Sequence, residues 1–149
     1  MPILSWLFSE PLPLGSIAPE FTLPDQNGNT VTLSHLRGQN VVLVFYPRDE
    51  TPVCRTQLCE FRDRSELAAS RNAVVLGINP QSGASHADFS KRQRLNFPLL
   101  VDKGGAVCEA YRTKGLVTKR TVYLIDTEGV IRYAQRGKPT PEQVLAAAS

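Results

Sequence analysis

Cysteine is scarce in this chain, three in 149 residues, and no two of them stand in a Cys-x-x-Cys pair. An odd number without that spacing argues against a secreted disulfide framework. It favours reactive thiols in a reducing compartment, and the cytoplasm is the expected location. Histidine is scarcer still: His35 and His86 stand alone, and neither has the spacing to the cysteines that a zinc site needs. Charge of one sign is also lacking. Seventeen basic against fourteen acidic residues leave +3, with the densest basic cluster at Lys91-Arg92-Gln93-Arg94. That cluster reads as the solvated face of a helix, so neither nucleic acid nor an anionic membrane is expected as a partner. The stretch Met1-Pro-Ile-Leu-Ser-Trp-Leu-Phe8 is apolar, but it has no basic flank and is too short to span a bilayer. With prolines at 11 and 13 just beyond it, residues 1–14 are expected to form an extended arm rather than a signal peptide. No repeat, low-complexity tract or linker divides the rest. A 149-residue chain that is 42% apolar is long enough for a full core in one domain, here residues 15–149.

What the chain does have is organised around one stretch, Val41 to Cys59. The run Val41-Val-Leu-Val-Phe45 has the length and β-branched character of a strand buried on both faces. Pro47 ends it, because proline cannot donate to a sheet ladder. Thr51-Pro52 then reads as a helix start, with Thr51 as N-cap and Pro52 at the first helical position. Cys54 falls in the first turn, where unpaired N–H groups and the positive end of the helix dipole favour an anion. A thiol placed there is biased toward thiolate, the nucleophilic form.

Around this stretch, strands alternate with helices. A strand ending near Asp25, the turn Gln26-Asn-Gly-Asn29 and the returning strand Thr30–Leu33 make a hairpin, after which Ser34 is placed to cap a single helical turn. The helix after Thr51 is expected to run to about Ser70, with Leu58, Phe61 and Ala68 facing the sheet. A buried strand at Ala73–Ile78, a helix at Ala84–Leu95, a strand at Phe97–Asp102 and a short helix at Ala106–Arg112 follow. A second hairpin joins Thr121–Asp126 to Val130–Ala134, and Pro141 opens a last helix reaching Ala148. The pattern predicts an α/β layer fold with a mixed sheet.

The residues Tyr46-Pro47-x-x-x-Thr51-x-x-Cys54 resemble the active-site signature of the peroxiredoxins. A second cysteine five residues on, Cys59, is similar to the subfamily called bacterioferritin comigratory protein or peroxiredoxin Q. Gly15-x-x-Ala18-Pro19-x-Phe21 followed by a hairpin also resembles the start of a peroxiredoxin domain. One position departs: Val53 stands where most members carry a glycine, beside the thiol and so on the path of a substrate. The resemblance implies a thioredoxin fold with a mixed central β-sheet flanked by helices and an N-terminal β-hairpin extension. It further implies a thiol-dependent peroxidase acting on hydrogen peroxide or organic hydroperoxides, with no metal or organic cofactor. Cys54 is then the nucleophile and Cys59 the thiol that condenses with it to a disulfide. Arg120 is the active-site arginine, Pro47 shields the thiolate, and a thioredoxin-like dithiol is the reductant. Gln57 is close enough in sequence to orient Arg120. The expected state is a monomer or weak homodimer.

Cys108 matches no motif and reads as a buried structural thiol. Two rivals remain: a thioredoxin-like disulfide oxidoreductase, and an inactive binding or holdase module. The first predicts Cys-x-x-Cys and a proline before the strand at Thr121, where this chain has Lys119-Arg120. The intact set Pro47, Thr51, Cys54 and Arg120 argues against the second. Ionisation alone contributes little: a thiol of pKa ~8.5 is about 3% thiolate at pH 7, so full ionisation gains at most roughly thirtyfold. A fast peroxidase must also stabilise the departing oxygen, which is where Arg120, the Thr51 hydroxyl and the Cys54 N–H are expected to act.

Overall fold

A computed structural model describes residues 10–149. In chain order it contains β1 (Thr22–Pro24), β2 (Thr30–Thr32), β3 (Asn40–Phe45), α1 (Pro52–Asp63), α2 (Ser65–Ser70), β4 (Ala73–Asn79), α3 (Gly83–Gln93), β5 (Leu99–Val101), α4 (Ala106–Ala110), β6 (Thr121–Ile125), β7 (Ile131–Arg136) and α5 (Pro141–Leu145). β1 and β2 pair as a separate hairpin, and the other five strands form one sheet in the order β5-β4-β3-β6-β7. β3, β4 and β5 run parallel, whereas β6 and β7 are each antiparallel to the strand before them in the sheet. This is a thioredoxin fold with an added N-terminal hairpin. None of its described helices is long and apolar enough to cross a membrane.

β3 is central and buried along its whole length, as its unbroken apolar run requires. Its side chains alternate between two cores. Val42, Val44 and Tyr46 join Cys54, Leu58 and Phe61 of the α1 segment, Phe89 of α3 and Val144 of α5 on one face. Val41, Leu43 and Phe45 join Cys108, Tyr111 and Tyr123 on the other. Gly77 makes room for this packing: a Cβ there would lie 2.7 Å from Leu99 Cδ2 and 3.2 Å from Tyr46 Cε1. The two faces carry different thiols.

Three local expectations are corrected. The helix expected to reach Ser70 breaks at Arg64 (φ −108°, ψ 26°), where α1 ends and α2 begins. Contacts outside the helix meet at this point: Arg62 Nη1 donates to Gln93 O at 2.5 Å, and Arg64 pairs with Glu142 at 2.5 Å. Ser34 does not cap its turn, which starts at Leu33; the Glu20 carboxylate accepts the Ser34 N–H instead, at 2.9 Å. The last helix stops at Leu145 rather than Ala148, although Thr140 and Gln143 form a full capping box at its start. Of the expected N-terminal arm, residues 1–9 lie outside the described residues. Within 10–14, Leu12 N–H donates to Tyr123 Oη at 3.0 Å.

Candidate active site

Cys54 is the third residue of α1 and is fully buried. The first intrahelical bond runs from Arg55 N to Thr51 O (2.8 Å), so the Cys54 N–H precedes the hydrogen-bonded ladder. Thr51 has the extended backbone of an N-cap (φ −81°, ψ 148°), but its side chain caps nothing. Its hydroxyl turns back toward Arg48 O, at 3.5 Å, which closes the loop before the helix instead. Val53, beside the thiol, is 51% exposed, so much of its side chain stands in solvent.

Arg120 precedes β6, the strand next to β3, and this adjacency carries it across the sheet end to α1. Its Nη2 donates to Cys54 Sγ at 3.1 Å and its Nη1 to Gln57 Oε1 at 2.7 Å. Gln57 is one helical turn beyond Cys54, on the same face, and is itself buried. Its amide reaches Gly137 O at 3.5 Å, while Gly137 N–H donates to Arg120 O at 2.8 Å. Sulfur, guanidinium and amide thus form one connected unit, with the arginine fork held at both prongs.

Cys59 lies on the same helix, half-buried, with Sγ 3.7 Å from Gln93 Oε1 at the end of α3. Five residues of α-helix separate two Cα atoms by about 8.6 Å on nearly opposite faces. Cys108 packs on the far side of the sheet from Cys54. Burial, aided by the nearby Asp102, pushes its thiol up to about 12. Pro47 is half-buried and, with Arg48, Gln81, Cys108 and Val117, lines a cavity of about 420 Å³. Cys54 does not line that cavity, so this opening beside the loop is not itself the thiol's chamber.

A further cluster lies behind the loop. Asp49 is buried, and its carboxylate accepts from Tyr46 Oη (2.6 Å), Ser85 Oγ (2.7 Å) and His86 Nδ1 (2.7 Å). Burial works to raise the Asp49 carboxyl, but the bonds from His86, Tyr46 and Ser85 outweigh it and hold the group below its ordinary value. Tyr46 is pushed well above its own, by burial first, then by the Asp49 charge, with Cys54 adding to it. Asp49 and His86 were not singled out from the sequence as site residues. The available signal was a histidine three residues before Phe89, which puts both on the buried face of α3.

The AhpC/TSA family pattern matches residues 14–134. The chain is 43% identical over 133 residues to wheat (Triticum aestivum) "Peroxiredoxin Q, chloroplastic", a match covering 87% of this chain but 61%, less than two thirds, of the wheat protein. It is 41% identical over 129 residues to a protein named as a bcp peroxiredoxin in Coxiella burnetii, covering 79% of this chain and 84% of that one. Among solved structures, peroxidoxin BcpB of Mycobacterium tuberculosis superposes with a TM-score of 0.84 at 32% identity, covering 90% of this chain and 94% of its own. The chain belongs to the AhpC/TSA family, among the peroxiredoxins of the peroxiredoxin Q and bacterioferritin comigratory protein type.

Proposed function

We propose that the chain is a thiol peroxidase reducing hydrogen peroxide or an organic hydroperoxide, with Cys54 as nucleophile. The observation that carries this reading is the contact of Arg120 Nη2 with Cys54 Sγ at 3.1 Å, in the first turn of a helix and pinned through Gln57. The Cys54 thiolate attacks one peroxide oxygen. An S–O bond forms as the O–O bond breaks, sulfur is oxidised to the sulfenic acid, and the other oxygen leaves with the electron pair and takes a proton to become water or alcohol. The arginine fork stabilises the charge arriving on that oxygen, and the Thr51 hydroxyl, which makes no cap bond, is available to assist. Pro47, at the loop's other end, limits water near the thiolate.

Cys59 resolves the sulfenic acid: its thiol condenses with Cys54–SOH, forming the S–S bond and releasing water. A thioredoxin-type dithiol then supplies the two electrons and two protons that restore both thiols. The helix must open for this step, since a disulfide needs Cα atoms within about 7 Å. The first two turns of α1, about Pro52 to Phe61, unwind between sulfenic acid and disulfide. Three free cysteines suit a reducing compartment such as the cytoplasm. Peroxide turnover with thioredoxin and its reductase tests the reading. Cys54→Ser should abolish consumption and Cys108→Ser should retain most of it; comparable losses from both would overturn the assignment.

A further inference from the structure

The loop Tyr46–Thr51 leads from the end of β3 into the first turn of α1, which carries the thiol, yet it is neither helix nor strand. Its backbone is unusual: Glu50 has φ 66°, a left-handed conformation that a residue with a Cβ adopts only when its surroundings hold it there. What holds it is Asp49. The Asp49 N–H donates to Gln81 Oε1 at 2.5 Å, and its carboxylate takes the three bonds from Tyr46, Ser85 and His86. His86 continues the chain, with Nε2 2.9 Å from Leu100 O. The loop is thereby tied to the start of α3 and, through His86, to β5. Both side chains are essentially sealed from solvent, at 0% for His86 and 1% for Asp49.

Both partners of His86, a carboxylate and a backbone carbonyl, are acceptors, so the ring satisfies them together only by donating from both nitrogens. A pair buried this deeply is maintained only when its hydrogen bonds are complete, and here they are. The first two turns of α1 are tied differently. Their hydrogen bonds to other elements meet Cys54, Gln57 and Cys59, the part of the helix that oxidation rearranges. The loop is therefore fastened to the scaffold just upstream of the segment that must open.

We propose that Asp49 and His86 are positioning residues for the peroxidase reaction: their buried pair latches the Tyr46–Thr51 loop to α3 and β5, and holds it in place while α1 unwinds. This rests on the peroxidase reading above. Without the latch, opening of α1 spreads back through Thr51 and Pro47, and the thiol's surroundings must be rebuilt in every cycle.

Two measurements test the latch. The first uses the unaltered protein, comparing amide exchange by NMR in the reduced and Cys54–Cys59 disulfide forms. The amides of Arg55 to Phe61 should exchange about tenfold faster or more after oxidation, while the Asp49 amide stays within about twofold of its reduced rate. Acceleration at Asp49 matching that of the helix overturns the proposal. The second uses Asp49→Asn, which keeps an oxygen for Tyr46 Oη and lets the new amide donate to His86 Nδ1 while Nε2–H serves Leu100 O. In a Cys59→Ser background the peroxide step should slow by about tenfold. With Cys59 present, disulfide formation should be as fast as in the parent or faster. A role in stability alone would lower Tm and leave the peroxide step of the folded protein unchanged, and that result overturns the latch. If Asp49→Asn does not fold, the exchange measurement decides alone. Failure of the peroxidase reading looks different: Cys54→Ser would go on consuming peroxide.

Discussion

Replacing Arg120 with lysine keeps the positive charge and removes the fork. In the structure one planar group bonds both Cys54 Sγ, at 3.1 Å, and Gln57 Oε1, at 2.7 Å. A lysine ammonium is a point donor on a flexible stem and cannot hold both in one geometry. Losing a single hydrogen bond to a charged group costs about 1.5–3 kcal/mol. If that bond is made in the transition state, the second-order rate with peroxide falls about 10- to 150-fold. Stopped-flow measurement in a Cys59→Ser background isolates this step from disulfide formation. Gln57→Leu leaves Arg120 in place but unpinned, and should slow the same step by about 3- to 10-fold. The double variant should lose less than the product of the two, since both act on one guanidinium. An Arg120→Lys rate within about twofold of the parent would show that the fork seen at the sulfur does not act on the reacting oxygen.

Thr51→Val should slow the peroxide step by about tenfold or more while changing thermal stability by less than about 0.5 kcal/mol, because the hydroxyl makes no cap bond and only a long, weak contact, 3.5 Å, to Arg48 O. A clear fall in Tm with an unchanged rate would reverse the two roles. Cys108, pushed up to about 12 chiefly by burial, should resist iodoacetamide at pH 8 in the folded protein; only about one part in ten thousand is thiolate there. Peptide mapping that finds Cys108 labelled as fast as Cys59 would contradict its enclosure. Asp49 makes the fold acid-sensitive. Its folded-state value is depressed below 3.8, so the unfolded chain binds the proton more readily. Its stabilisation is complete above 3.8 and is lost as pH falls through the depressed value. Urea unfolding at a series of acid pH values should show a shallower loss of stability in Asp49→Asn, and an unchanged slope would mean Asp49 titrates alike folded and unfolded.

The elements nearest the thiol could be read from local chemistry because local chemistry decides them. A β-branched run makes β3, Pro47 stops it, and Thr51-Pro52 starts α1, which puts Cys54 in the first turn. The features that escaped such reading depend on partners far away in the chain. The break at Arg64 answers to Gln93 and Glu142, and the Ser34 N–H answers to Glu20. Asp49 and His86 are 37 residues apart and meet because β4 lies beside β3, which brings the start of α3 behind the loop. The separation of Cys108 from Cys54 follows from strand alternation, but only once the helices are assigned to faces of the sheet. Thr51 is the instructive case. Its backbone is that of an N-cap, as the Thr-Pro pair predicts, while its hydroxyl is left to other uses.

The most direct test of the account traps the first chemical product. The Cys59→Ser chain, treated with one equivalent of hydrogen peroxide in the presence of dimedone, is digested and mapped by mass spectrometry. The account predicts a single adduct, on Cys54, formed in step with peroxide loss, and in the unaltered chain a Cys54–Cys59 disulfide instead. An adduct on Cys108, or peroxide consumed with Cys54 unmodified, would contradict it.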